Sequence, residues 1–183
     1  AVAARFAPLA LGTDLGGSIR IPASFNGLVG IRPSPGRVPV HPTDFGWDTL
    51  VPHVMGPLTS TVGDAALMLS VIAGPDDRDP SSLPAQDMDL VTAASGRTSL
   101  QGRRIALSID LGGLVPVDYE VAALTREAAK RFEALGAHVE EIAFDASDLT
   151  TIIAGTRSFG MVARYADRYD RHRDQMTAQE PHH

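Results

Sequence analysis

The chain has 183 residues, 44% hydrophobic and 21% charged, a globular balance that excludes disorder and supplies enough apolar material for a core. Lys and Arg number 16 against 22 Asp and Glu, a formal net charge of −6 that gives no electrostatic ground for nucleic acid or an anionic membrane. There is no cysteine, which excludes disulfides, thiolate catalysis and Cys-ligated zinc, and no apolar run of about 18 residues is present to span a bilayer.

In chain order, the alanine-rich opening AVAARFAPLALG reads as a helix ending near Gly12, and GTDLGGS follows as a loop. Residues 28–38, LVGIRPSPGRV, form a short apolar run broken by prolines, which predicts a strand and turns. The stretch HPTDFGWDTLVPHVMGPL has no period and reads as loop. In STVGDAALMLSVIAG, Ser60 or Thr61 caps a helix, Thr61 and Asp64 have capping-box spacing, and Gly74-Pro75 stops it. PDDRDPSSLPAQDMD is then a polar surface loop. RRIALSI reads as a strand, DYEVAALTREAAKRFEAL as a helix capped by Asp118 and stopped at Gly136, and AHVEEI as a second strand. That order predicts a βαβ unit with a parallel pair. At about 100° per residue, Val121, Leu124, Ala128, Phe132 and Leu135 form one stripe for packing on the sheet, and Lys130 lies opposite, toward water. A last helix is expected from about Ser147 to Asp170, with MTAQEPHH frayed.

GTDLGGSIR, residues 12–20, is the stretch that carries chemistry. Adjacent glycines reach backbone angles closed to other residues and leave their N–H groups uncovered, which suits close approach to a ligand. Three readings are open. A phosphate cradle lacks the G-x-G-x-x-G and G-x-x-x-x-G-K-[ST] fingerprints. A plain tight turn would use Ser18 to cap the next short helix. A nucleophile loop would have Ser18 attack a carbonyl while the N–H groups of Leu15, Gly16, Gly17 and Ser18 converge on the oxyanion. It is not the G-x-S-x-G elbow, since Arg20 stands where the last glycine would be.

The longer context, ALGTDLGGSIRIPASFNGLVGIRPSPGRVP followed by MGPLTSTVGDAALMLSVIAGPDDRDPSSLP, closely resembles the amidase signature family of serine hydrolases. The resemblance implies an α/β fold with a mixed β-sheet core flanked by helices on both faces. It implies a Ser-Ser-Lys triad in which Ser18 matches the nucleophile, with Leu15, Gly16, Gly17 and Ser18 forming the oxyanion hole and Thr13, Asp14 and Arg20 supporting the site. The implied reaction is hydrolysis of a small carboxamide or aryl amide through an acyl-enzyme, with no metal or organic cofactor. In the family the lysine and bridging serine precede this loop, and the only lysine here is Lys130. The expectation is a single partial domain over residues 1–183, truncated at both ends and inactive alone. Expected partners are a small-molecule amide, a homodimer mate or a complementing chain, with no nucleic acid and no membrane. Two alternatives stand beside this: a catalytically incomplete fragment that needs a partner chain, and the amidase subunit of a tRNA-dependent amidotransferase. No leader pattern opens the sequence, so a cytoplasmic protein is expected.

Other candidates are weaker. None of the six histidines has ligand spacing, so His41 and His53 read as solvent-facing or hydrogen-bonded, and His182-His183 as tail. Asp76, Asp77 and Asp79 lack the glycine and distal glutamate of a calcium loop and read as solvated. Phe45, Trp47 and Met55 either line the acyl pocket or cover the core. RYADRYDRHRD alternates in charge and reads as a salt-bridged helix surface.

Overall fold

A computed structural model describes residues 1–41, 53–85, 87–96 and 99–176. It divides into two compact units, residues 1–96 together with the chain from 159 onward, and residues 97–158. The first unit is built on a three-stranded antiparallel sheet in the order β1-β3-β2, with β1 at Leu9–Asp14, β2 at Val29–Gly30 and β3 at Val54–Thr59. Helix α1, Arg20–Asn26, packs beside β2, and α2, Val62–Ile72, packs on β3. The buried apolar residues Ile19, Ala23, Val54, Ala65 and Ala66 come from these elements and the turns between them. A short helix, α3, covers Leu90–Ser95. Among the described residues no helix is long and apolar enough to cross a membrane.

In the sheet of the first unit, two expectations from the sequence do not hold. The opening is not a helix: residues 2–5 turn, and Leu9–Asp14 is a strand paired with Val54–Thr59 in the register Gly12↔Gly56. Pro8 cannot donate within a helix and disfavours helical geometry in the residue before it, and pairing to β3 satisfies the backbone that alanine propensity would have coiled. Likewise, the end of the supposed loop before Ser60 is the central strand β3. Gly56-Pro57 reads as a breaker, yet Pro57 is fully buried in that strand and its carbonyl accepts the Ile31 N–H at 3.2 Å. Residues 42–52, with Phe45 and Trp47, lie outside the described residues, as do His182 and His183.

Helix α2 begins as its sequence signals require. Thr61 is the N-cap, its hydroxyl oxygen accepting the Asp64 N–H at 3.1 Å while its O–H donates to the Asp64 carboxylate at 2.7 Å. Thr61→Ala is expected to lower stability by about 1 kcal/mol, measured as a shift in thermal or urea unfolding. The loop after α2 departs from its solvated reading at Asp79, which is buried and holds Val40 N–H at 2.8 Å and Ser81 N–H at 2.9 Å. Those bonds answer for the carboxylate's lost hydration.

The second unit contains β4, Arg104–Leu107, helix α4, Tyr119–Ala134, and β5, His138–Glu141, with β4 and β5 parallel as expected for βαβ. Asp118 caps α4 by accepting the Glu120 N–H at 2.8 Å. The face α4 presents is different from the expected one. Val121, Leu124, Phe132 and Leu135 are exposed, and the half-buried positions are Ala122 and Ala129. Arg126, on the alanine side, is paired with Glu141 of β5 at 2.7 Å, and the small alanines permit close approach to strands only four residues long. Helix α5 spans Leu149–His172, close to its expected limits, and a 3₁₀ turn follows at Arg173–Gln175.

Candidate active site

The glycine-rich loop is organised by one carboxylate. Asp14 ends β1 and is 0% exposed. Its Oδ1 accepts the Gly17 N–H at 2.7 Å, and its Oδ2 accepts the N–H groups of Ile19 at 3.2 Å and Arg20 at 3.4 Å. The Arg20 guanidinium adds a bidentate pair, Nε to Oδ2 at 3.0 Å and Nη2 to Oδ1 at 3.1 Å. Arg32 Nε stands 3.7 Å from Oδ1. An Asp side chain is short enough to fold back on the N–H groups just after it, so a strand ending in Asp passes directly into a tight loop. The bonded Arg20 guanidinium, helped by the Gly17 and Ile19 N–H groups, holds the Asp14 carboxyl well below the usual carboxylate range against the opposing effect of burial.

The other predicted residues follow from that anchor. Gly17 is buried with φ of 115°, a left-handed conformation that a side chain would strain, and its carbonyl accepts the Ile21 N–H at 2.7 Å. Leu15 is half-buried, while Thr13, Gly16 and Ser18 are exposed. Arg20 opens α1 with its side chain 54% exposed, so it borders the loop while remaining tied to Asp14.

Ser18 is not a helix cap. Ile19 occupies the N-cap of α1, no side chain caps it, and the loop's N–H groups bond instead to Asp14. Among the described residues the Ser18 hydroxyl makes no hydrogen bond, and neither do the N–H groups of Leu15, Gly16 and Ser18. The Gly17 N–H differs from these three because Asp14 holds it. The loop thus leaves a serine hydroxyl and three N–H groups without a partner among the described residues, on a turn that Asp14 holds; these are group types that acyl-transfer sites use, the hydroxyl once a base activates it.

Lys130 is exposed in the second unit and paired with Glu127. That hydrogen bond raises its pKa, so near neutral pH it stays protonated and accepts no proton. No group of His, Asp or Glu among the described residues is arranged to hold a metal ion. His41 is exposed, and Met55 is half-buried on β3 opposite Thr13. A cavity of about 440 Å³ in the second unit is lined by Ile109, Asp110, Val115, Pro116, Arg126 and Glu141, and none of these is a predicted site residue. Arg32 is the site residue that sequence reasoning missed. It reaches Asp14 because the chain leaving β2 runs alongside β3, a relation that no local spacing encodes.

Comparison with known proteins places these observations in a family. The profile described as Amidase matches residues 1–180. An acylamidase of Rhodococcus erythropolis is 43% identical over 141 residues, 77% of this chain and 28% of that protein. A glutamyl-tRNA(Gln) amidotransferase subunit of Staphylococcus saprophyticus is 42% identical over 144 residues, 78% of this chain and 28% of that protein. Among solved structures, a bacterial aryl acylamidase of the amidase signature family superimposes with a TM-score of 0.74 at 34% identity, covering 96% of this chain and 37% of that one. The chain therefore spans between a quarter and two fifths of the length of these relatives.

Proposed function

This chain belongs to the amidase family, and from that premise we propose that it carries the nucleophile loop of an amidase acting on a small carboxamide or aryl amide. The observation that carries the reading is the exposed Ser18 hydroxyl, which has no structural bond to keep and sits on a loop whose turn is held by buried Asp14. In the proposed reaction Ser18 Oγ adds to the amide carbonyl and its proton passes to the Ser-Ser-Lys relay that the family resemblance implies. The C–N bond then breaks, the amine leaves with a proton, and water releases the acid from the Ser18 ester. The open N–H groups of Leu15, Gly16 and Ser18 receive the oxyanion, and Gly17 serves mainly by holding the turn. Arg20, bound to Asp14 through Nε and Nη2, borders the acyl site.

A fluorophosphonate probe incubated with the full-length protein is expected to phosphonylate the peptide that contains Ser18, read by mass spectrometry of a digest. Labelling confined to any other residue overturns the assignment. The near-equal identity to the amidotransferase relative favours one second reading, an amidase half that releases ammonia for a partner protein. Glutaminase activity together with co-purification of a second protein would favour it, and turnover of an aryl amide by the isolated full-length protein would favour the first.

A further inference from the structure

We propose that Ile19 is the positioning residue of the nucleophile loop, seated in a socket formed by three glycines, one from each strand of the sheet. The inference rests on the reading of Ser18 as nucleophile. Ile19 is 0% exposed and leads the fully buried side chains of the described residues in volume. Gly12 of β1 and Gly56 of β3 face each other across the sheet, and Gly30 lies on β2. A Cβ placed on Gly12 would meet Ile19 Cγ1 first, at 3.0 Å; one on Gly30 would stand 2.7 Å from Ala23 Cβ and 3.0 Å from Ile19 Cγ2, and one on Gly56 would run into the Ile31 carbonyl oxygen and stand 3.1 Å from Ile19 Cδ1. Ordinary carbon contacts lie at about 3.5–4.0 Å, so Ile19 packs directly on all three glycines: Gly12 clears space chiefly for Ile19, while Gly30 also makes room for Ala23 and Gly56 for the Ile31 carbonyl. None of the three has a positive φ, so the space above it, and not the backbone angle, makes glycine necessary there.

The main chain of Ile19 is held as firmly as its side chain. Its N–H donates to Asp14 Oδ2 at 3.2 Å and its carbonyl accepts the Ala23 N–H at 3.1 Å. A β-branched side chain has few χ1 choices, so a filled socket fixes the backbone of Ile19 and with it the peptide that joins it to Ser18. The other side of Ser18 is Gly16-Gly17, which by itself would let the hydroxyl wander. Asp14 sets where the loop turns, and the socket sets where Ser18 points.

The test measures kcat and KM per folded molecule of the full-length protein for Ile19→Ala, Ile19→Val and Gly12→Ala. Ile19→Ala is expected to lower kcat by about 100-fold with KM within about twofold, because a displacement near 1 Å is enough to spoil attack. Ile19→Val keeps both γ-carbons and is expected to recover most of that loss. Gly12→Ala pushes on Cγ1 and lowers kcat, and its loss shrinks when combined with Ile19→Ala, a non-additivity expected of groups in contact. A purely structural role would reduce only the folded fraction. If Ile19→Ala does not fold, Gly12→Ala decides: a folded Gly12→Ala protein with parental kcat overturns the proposal. Ser18→Ala run in parallel separates the two failures. Full activity in that variant overturns the nucleophile reading and the socket with it, whereas an inactive Ser18→Ala beside fully active, folded Ile19→Ala or Gly12→Ala overturns the socket alone.

Discussion

Ser18→Ala in the full-length protein is expected to lower amide hydrolysis by about 10³-fold or more while leaving the unfolding midpoint unchanged. The size follows from the role: the hydroxyl forms the covalent bond to the acyl group, and losing one member of such a unit removes nearly the whole covalent route. The unchanged stability follows from the geometry. Ser18 is exposed and its hydroxyl has no hydrogen bond among the described residues, so the substitution leaves no buried group unpaired and its effect stays within about 0.5 kcal/mol. Steady-state rates with an anilide substrate, paired with a thermal melt, check both halves. A Ser18→Ala protein with parental rates would sink the assignment.

Asp14→Ala is expected to lose both, costing about 3 kcal/mol of stability and taking the activity with it. Removing the carboxylate leaves the N–H groups of buried Gly17 and Ile19 without an acceptor. Each such orphan costs about 1–3 kcal/mol. The Arg20 guanidinium adds less to the loss than a fully buried cation would, since its side chain is 54% exposed and can turn to water. Asp14→Asn keeps one acceptor oxygen and is expected to fall between the parent and the alanine variant, by urea unfolding. The pH dependence follows from the depressed pKa. Folded Asp14 binds fewer protons than it does in the unfolded chain, so its stabilisation is complete above the unfolded value of about 3.9 and declines as pH falls toward its lower folded value. In Asp14→Ala the fall in stability below about pH 4 should be shallower than in the parent by that contribution. An acid unfolding curve parallel to the parent's would show that the carboxylate is not the anchor described.

Elements set by signals a few residues apart were legible in the sequence. Thr61 and Asp118 announce α2 and α4, Gly74 and Gly136 end them, and the βαβ order of the second unit follows from those signals with the short apolar runs on either side of α4. Of GTDLGGSIR, the turn at LGGS was legible as loop because its glycines are adjacent and the family match runs through them, whereas residues 12–14, also read as loop, close strand β1. Tertiary structure alone decided what depends on partners distant in the chain. Leu9–Asp14 is a strand because Val54–Thr59 pairs with it, against the helical preference of the alanines before it. The pairings of β3 with β1 and with β2 bring Gly12, Gly30 and Gly56 against Ile19, and the chain beyond β2 carries Arg32 to Asp14. The side α4 turns to its strands also escaped periodicity, since the Arg126–Glu141 pair and the small alanines, and not the longest apolar stripe, face them. Caps and helical hydrogen bonds close within one turn and are written locally. Burial and sheet register arise only when separated segments meet, and no single segment records which partner it will find.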